Sequence, residues 1–216
     1  MNPAPGSVLV CFALPEEARP FRQTARSLGH VRIVLTGMGR TNTERAVAPL
    51  LAAEPPAAVF TCGFAGGLDP ALATGTILFE SGNDALSALL GRAGLRPGRF
   101  HGATRMAITA AEKAALRRDT GADAVEMESS VVHDLCRARG VPCATVRVIS
   151  DAAGEDLPLD FNALTTPDMR IHVGRLAFAV LGAPWKIPAL LRLQRQTATA
   201  ARALGEQLAR VLRELA

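Results

Sequence analysis

The chain has no tyrosine, a single tryptophan and an aromatic content of only 4%. It also lacks a basic run interleaved with aromatic side chains, which is the pattern expected of a nucleic-acid surface. A formal net charge of +4 is too small to indicate such a surface by itself. We therefore expect no nucleic-acid partner.

Metal-binding and export signals are missing as well. The four cysteines form no CxxC pair and have no histidine at ligand spacing, so we expect no metal site. They are Cys11, Cys62, Cys136 and Cys143. The sequence begins without a signal-peptide pattern, and no run of about 18 apolar residues predicts a membrane span. These features favour a cytoplasmic protein with buried free thiols.

What the chain does have is a steady alternation of apolar runs and helical segments. With 216 residues and 49% hydrophobic content, it suits one domain over residues 1–216 with a sizeable core. The pattern predicts an α/β fold, a three-layer αβα sandwich around a central mixed, mostly parallel twisted sheet. Predicted strands cover residues 7–14, 31–36, 57–62, 75–80 and 143–149, and predicted helices 42–53, 84–91, 110–118 and two more from about 168.

Acidic residues stand where two of the apolar runs stop. The segment 124–129 reads Ala-Val-Glu-Met-Glu-Ser, and the segment 146–151 reads Val-Arg-Val-Ile-Ser-Asp. Carboxylates are costly to bury without partners, and ligands of open α/β sheets bind beyond the carboxyl ends of strands. The sequence therefore predicts a charged site at this edge, where Glu17 and two glycine-rich stretches also fall.

Each of these signals also has a plainer structural interpretation. Gly37-Met38-Gly39 lacks the third glycine of a dinucleotide fingerprint and is typical of a tight turn. Gly63-Phe64-Ala65-Gly66-Gly67 lets a ligand approach the backbone closely, or is an ordinary turn. Glu17 suits a solvated helix start, and Asp151 suits a turn cap.

Two further side chains have definite expectations of their own. Arg147 lies inside an apolar strand, where an arginine needs an acidic partner or an anionic ligand. His133 follows the Glu-Met-Glu segment on a helix; the sequence shows no evident partner for it, and we expect it on the helix surface.

Taken together, these motifs resemble the nucleoside phosphorylase and nucleosidase superfamily, which includes the methylthioadenosine/S-adenosylhomocysteine nucleosidases. The similarity covers most of residues 7–152 and rests on five ordered motifs. They are Ala13-Leu14-Pro15-Glu16-Glu17, Thr36-Gly37-Met38-Gly39, Gly63-Phe64-Ala65-Gly66-Gly67-Leu68, Val125-Glu126-Met127-Glu128-Ser129 and Arg147-Val148-Ile149-Ser150-Asp151.

A narrower resemblance lies mostly in the tail. It points to the bacterial hopanoid-associated phosphorylases, a subgroup implicated in removing adenine from an adenosyl-hopanoid lipid precursor. The residues that carry it are Thr120-Gly121-Ala122, Asp156-Leu157-Pro158 and Ala183-Pro184-Trp185.

The superfamily resemblance implies cleavage of the N-glycosidic bond of a purine nucleoside, with adenine as the favoured base. It implies that Asp151 protonates the leaving base, and a general acid must hold a proton near neutral pH, which burial favours. It assigns the ribose to Glu128, sugar packing to Met127, the attacking water to Glu17 and the neighbouring cation to Arg147. Backbone of Phe64, Ala65 and Gly66 is expected to flank the ribose and base.

The chain also departs from the family pattern. Phe64 stands where nucleosidases carry a serine that helps hold water, and about Thr61 stands where purine phosphorylases carry a phosphate-binding arginine. Gly39 and Arg40 are left as a candidate phosphate or water site, although Arg40 equally suits a helix cap. The segment 80–98 is shorter than the corresponding segment of relatives, which helps close the base and sugar pocket. The alternative to an enzyme is therefore a degenerate member of the family that binds nucleosides without turnover. The resemblance implies a homo-oligomer and no cofactor beyond phosphate as a co-substrate.

The C-terminal segment has two interpretations. Trp185 and Lys186 precede an apolar stretch at 187–191, and several arginines follow. The favoured interpretation is an amphipathic helix that covers the sheet and buries Trp185. The alternative is peripheral contact with a membrane surface, for which Trp185 must be exposed.

Overall fold

The computed structural model describes residues 6–166 and 168–215. Its strands are β1 (Val8–Phe12), β2 (Val31–Leu35), β3 (Ala58–Gly67), β4 (Ile77–Ser81), β5 (Arg96–Pro97), β6 (Phe100–Gly102), β7 (Ala124–Glu126) and β8 (Cys143–Asp151). Its helices are α1 (Pro15–Thr24), α2 (Arg40–Ala53), α3 (Asp84–Arg92), α4 (Ala110–Thr120), α5 (Ser129–Arg137), α6 (Phe161–Leu164), α7 (Val173–Gly182) and α8 (Ile187–Arg213). A 3-10 turn at Pro184–Lys186 joins α7 to α8.

The strands of the described residues form one sheet in the order β2-β1-β3-β8-β4-β5, with β7 and β6 attached to the far end of β3. β1 pairs in parallel with β2 and β3, and β3 pairs in parallel with β8. β4 runs antiparallel to β8, and β7 runs antiparallel to β3. The predicted mixed, mostly parallel sheet is therefore confirmed.

Helices cover both faces of this sheet. On one face, α1, α3 and α8 pack on side chains such as Val10, Phe60 and Val146. On the other face, α2 and α5 pack on the alternate side chains of the same strands, among them Leu9 and Val59. Strands covered on both sides need apolar residues at every position, which explains the continuous runs in the sequence. The three-layer αβα sandwich is confirmed.

The glycine-rich stretch after residue 62 differs from its prediction. The sequence predicts that the strand ends there in a turn, but β3 continues through Gly67 and stays paired with β8 as far as Asp151. The pairing register shifts between Ala65 and Gly66, which is the irregularity of a β-bulge. Glycine tolerates that geometry, so a motif typical of turns is here a bent strand.

Two side chains also differ from their expected environments. His133 is half-buried rather than on the open helix surface, and its Nε2 lies 2.8 Å from the Thr145 hydroxyl on β8, a partner that the sequence did not indicate. Trp185 is 73% exposed, so the expectation that a covering helix buries it is wrong.

Within the described residues no single helix is long and apolar enough to span a membrane. Helix α7 and the segment from Pro184 to Arg213 are long and apolar enough only when they are taken together, and a bend of 100° separates them.

We predict that Gly205→Ala destabilises the protein, because the backbone of α1 lies close to α8 at this residue. A Cβ at Gly205 would lie 2.7 Å from the Phe21 backbone nitrogen and 3.1 Å from its Cα. The backbone of α1 cannot shift without disturbing its packing, so the free energy of unfolding should fall by about 1 to 3 kcal/mol. Urea denaturation measures this decrease.

Gly91→Ala is the matched control, since Gly91 is also helical but nothing lies within 4 Å of its added Cβ. Helix propensity then predicts unchanged stability or a gain of up to about 1 kcal/mol. Equal effects of the two substitutions would contradict the close-crossing account.

Candidate active site

A buried arginine stands at the centre of the charged edge. Arg147 lies in β8 with 1% of its surface exposed. Its Nη2 donates to Glu126 Oε2 at 2.7 Å, to Glu128 Oε2 at 3.2 Å and to the Thr61 hydroxyl at 3.2 Å. The acidic partner expected for this strand arginine is therefore present, and there are two such partners, Glu126 and Glu128.

The two glutamates that bind Arg147 differ in how completely they are occupied. Glu126 also accepts hydrogen bonds from the backbone of Glu128 and Ser129 and from the Ser129 hydroxyl, at 2.6 to 3.0 Å. Glu128 accepts one backbone bond, from Gly39 N at 2.9 Å. Burial raises the pKa of Glu128, while Arg147 opposes that rise. Glu126 is thus committed to the structure, and Glu128 keeps capacity for a ligand.

Glu17 brings a third carboxylate to the cluster. It lies in the first turn of α1, which begins at Pro15, and its Oε2 accepts from Leu14 N at 2.9 Å. Its Oε1 accepts from Phe64 N at 2.8 Å, which ties the helix to β3. Burial raises the pKa of Glu17 to about 7, with Arg147 holding it lower than burial alone would. At neutral pH this group can therefore take up or release a proton.

Gly63 permits the approach of Glu17 to Arg147. A Cβ built at Gly63 would lie 2.6 Å from Glu17 Oε1 and 2.8 Å from Arg147 Nη1. Its φ of +146° is also one that residues with a side chain rarely adopt. A glycine is required at this position because the carboxylate and the guanidinium occupy the space of a side chain.

Asp151, at the end of β8, has a partner that the sequence did not indicate. Its Oδ2 lies 2.5 Å from Lys113 Nζ, and its Oδ1 accepts from the Ser150 hydroxyl at 2.6 Å. Lys113 is fully buried and also donates to the carbonyls of Ala152 and Glu155. One sequence signal could have indicated that Lys113 is buried. Lys113 lies three residues before Leu116, which packs against the core from the same face of α4.

Strand β3 links the two charged groups. Gly63 lies beside Glu17 and Arg147, while an added Cβ at Gly66 would lie 3.4 Å from Asp151 Oδ2. Three residues of strand span about 10 Å, so the groups flank one stretch of backbone. Phe64 within it and Met127 beside Glu128 are half-buried, and Ala65 is buried.

The structure brings the backbone of Gly39 into the cluster but not the side chain of Arg40. The guanidinium of Arg40 pairs with Asp134 at 3.6 Å and its side chain is 61% exposed. Gly39 precedes the first residue of α2, where a free backbone N–H is available, and it gives that N–H to Glu128.

No group of three or more His, Cys, Asp or Glu side chains within residues 6–166 and 168–215 is arranged to hold a metal ion. A groove of about 340 Å³ lies at the opposite end of β8, lined by residues that include His133, Cys136 and Cys143. It contains none of the residues of the Arg147 and Asp151 contacts described above.

We predict that Arg147→Met lowers the free energy of unfolding by about 3 to 5 kcal/mol, because it leaves buried carboxylates without their cation. Thermal and urea denaturation measure the loss. Arg210→Met, at an exposed position of α8, is the control and should have almost no effect.

The loss should also depend on pH in a defined direction. The folded pKa of Glu17, about 7, exceeds its ordinary 4.5, so folding takes up a proton and stability falls as pH rises between these values. Without Arg147 the folded pKa of Glu17 rises further, so the deficit should be larger at about pH 8 than at about pH 5. A deficit independent of pH would contradict the electrostatic role of Arg147.

Comparison with known proteins identifies the fold and its sequence signature. The sequence profile of the Phosphorylase superfamily matches residues 90–181, a segment that contains Glu126, Glu128, Arg147 and Asp151. An aminodeoxyfutalosine nucleosidase of Campylobacter jejuni is 41% identical over 61 residues, which are 28% of this chain. The matched segment spans only 27% of the length of that relative.

Solved structures extend the likeness to almost the whole chain. Futalosine hydrolase of Helicobacter pylori superimposes with a TM-score of 0.73 at 17% identity, over 96% of this chain and 97% of that one. A 5'-methylthioadenosine/S-adenosylhomocysteine nucleosidase of Neisseria meningitidis, in complex with methylthio-immucillin-A, gives 0.73 at 17% identity, over 97% and 99%. At this identity the likeness is one of fold. In fold, and in sequence over residues 90–181, this chain is therefore similar to the phosphorylase superfamily.

Proposed function

We propose that this protein hydrolyses the N-glycosidic bond of a purine nucleoside. The observation that carries the proposal is the buried cluster of Arg147 with Glu126, Glu128 and Glu17, one stretch of β3 away from Asp151. The curated relative is named a nucleosidase and the Helicobacter pylori neighbour a futalosine hydrolase, which supports a nucleosidase activity.

Glu128 is the group proposed to act on the sugar. As the bond to the base breaks, positive charge develops on the sugar ring, and a fixed carboxylate stabilises it. A carboxylate also accepts hydrogen bonds from sugar hydroxyls. Glu128 is fixed by Arg147 and Gly39 N and keeps free acceptor capacity, which suits both tasks.

Asp151 is the group proposed to act on the leaving base. Protonation of a leaving purine lowers the barrier to its departure. A carboxyl can give a proton to the base only if it holds one, and the Asp151 carboxyl is paired with the ammonium of Lys113. Lys113 Nζ at 2.5 Å and the Ser150 hydroxyl at 2.6 Å donate hydrogen bonds to this carboxyl and fix its position at the end of β8.

Water, rather than phosphate, is the proposed nucleophile. Glu17, with a pKa of about 7, can accept a proton from water near neutral pH. A phosphate dianion would instead meet three carboxylates whose one shared cation, Arg147, already binds two of them. Arg40 is turned toward Asp134, which leaves it away from the cluster.

Finer parts of the proposal rest on the family resemblance. Adenine is the proposed base, and an adenosine with a hopanoid 5′ substituent is the proposed natural substrate. The tail motifs Asp156-Leu157-Pro158 and Ala183-Pro184-Trp185 support that subgroup. A cytoplasmic homo-oligomer belongs to the same proposal.

A panel of nucleosides tests the proposal. We predict free adenine and a free sugar from adenosine or a 5′-alkyl adenosine, measured by chromatography, with no requirement for phosphate. Asp151→Asn should reduce the rate by about 10²- to 10⁴-fold, while Asp119→Asn, at an exposed site on α4, should leave it unchanged.

Each alternative has its own result in this assay. If a sugar phosphate formed, and only when phosphate was added, the reaction would be phosphorolysis rather than hydrolysis. Nucleoside binding by calorimetry without any base release would favour the non-catalytic relative, a reading that the pairing of Asp151 with Lys113 also suits.

The pH dependence of the rate tests Glu17 separately. A water-activating base must be ionised, so kcat/KM should rise with pH through about 7, the pKa of Glu17 in the free protein. Glu17→Gln should lower kcat/KM and remove this limb of the profile. An active Glu17→Gln variant that keeps the same limb would assign the titration to another group.

A further inference from the structure

The segment from α7 into the first half of α8 exposes a group of large apolar side chains. Phe178 is 79% exposed, Leu181 80% and Trp185 73%, and α7 has no buried residue. The other members of this group are Val173, Ile187 and Leu191. Of the large hydrophobic side chains exposed within residues 6–166 and 168–215, only Leu35 and Ile171 lie outside it. An apolar group of this kind is typical of a surface that meets a partner.

The charge of the same segment has one sign. No acidic residue occurs between Met169 and Gly205, and six basic residues stand at 170, 175, 186, 192, 195 and 202. The rest of the chain has 18 basic residues against 20 acidic ones. The positive charge of the protein is therefore concentrated around the exposed apolar side chains, which we call the α7–α8 surface.

Both ends of the α7–α8 surface are fixed to the body of the protein. Beyond Ala200, α8 is buried against α1. Before α7, the Asn42 amide donates to the Asp168 carbonyl at 2.8 Å, and an added Cβ at Gly39 would lie 3.3 Å from Met169 Cγ. Gly39 is the residue whose N–H binds Glu128. The surface is thus attached beside the candidate active site.

We propose that the α7–α8 surface docks the protein on an anionic membrane surface as an interfacial element. Tryptophan and aliphatic side chains enter the boundary between headgroups and acyl chains, while lysine and arginine bind anionic headgroups. The 100° bend between the helices, with Arg192 and Arg195 beyond it, suits a segment lying on the bilayer.

Charge favours a membrane over a second copy of this chain. A symmetric dimer through the α7–α8 surface would bring two basic segments together without an acidic residue of the same segment to pair with them. An anionic bilayer supplies the complementary charge. Docking would place the Gly39 turn, and with it Glu128, at the edge nearest the lipid.

Trp185 makes the proposal directly measurable, because it is the only tryptophan in the chain. With vesicles of phosphatidylcholine and phosphatidylglycerol at low salt, its emission should shift to shorter wavelength and the protein should co-sediment. Pure phosphatidylcholine should bind far less, and added salt should weaken the binding.

Variants locate the contact. Arg192→Gln with Arg195→Gln should weaken binding to the anionic vesicles by roughly 20- to 30-fold, and Phe178→Ser with Leu181→Ser should abolish the emission shift. Arg210→Gln with Arg213→Gln, at the exposed end of α8, is the matched control and should bind as the unchanged protein does. Circular dichroism checks that each variant is folded.

Three results would overturn the proposal. They are no co-sedimentation with anionic vesicles at low salt, equal binding by the Arg192/Arg195 variant and its control, or a dimer that buries Trp185 and is dissociated by Phe178→Ser. Cleavage of a water-soluble nucleoside, measured in the same samples without vesicles, reports the catalytic proposal independently.

Discussion

The arrangement of this edge of the fold depends on one buried cation. Arg147 is enclosed in the middle layer with 1% of its surface exposed, and it is there because Glu126 and Glu128 are bound to it. Glu17 adds a third carboxylate near it, so negative groups outnumber the cation. Burial raises the pKa of Glu17 to about 7 and also raises the pKa of Glu128; Arg147 opposes both shifts, while the neighbouring glutamates add to them.

The same cluster constrains the backbone around it. β3 must carry a glycine at 63, because Glu17 and Arg147 occupy the space of a side chain. β3 must also continue far enough to reach β7, where Glu126 ends its strand, and the bulge at Ala65 and Gly66 accommodates that extension. The bent strand in turn leads to Asp151, so the acid and the glutamates are placed by one continuous piece of sheet.

The sequence predicted the sandwich well because strands covered on both faces are unbroken apolar runs, as in Val8–Phe12. It also singled out Glu17, Glu128, Arg147 and Asp151, because charge inside or at the end of such runs is conspicuous; the roles assigned to them stay predictions.

The sequence did not predict three other features. It did not indicate the role of Lys113, because the pairing of Lys113 with Asp151 joins elements that are distant in sequence. It did not predict the course of β3, because glycines favour turns locally, whereas pairing with β8 keeps these residues in a strand. It did not predict the exposure of Trp185, because amphipathic spacing does not show whether a helix face is covered.

The titration of the Glu17 carboxyl is the most direct test of this electrostatic account. Selective ¹³C labelling of glutamate, with Glu17→Gln to assign the resonance, allows its pKa to be followed by NMR in the ligand-free protein. We predict a midpoint at about 7, raised from 4.5 by burial against the cluster. A midpoint near 4.5 would mean that water or another cation reaches Glu17, and would contradict the central claim.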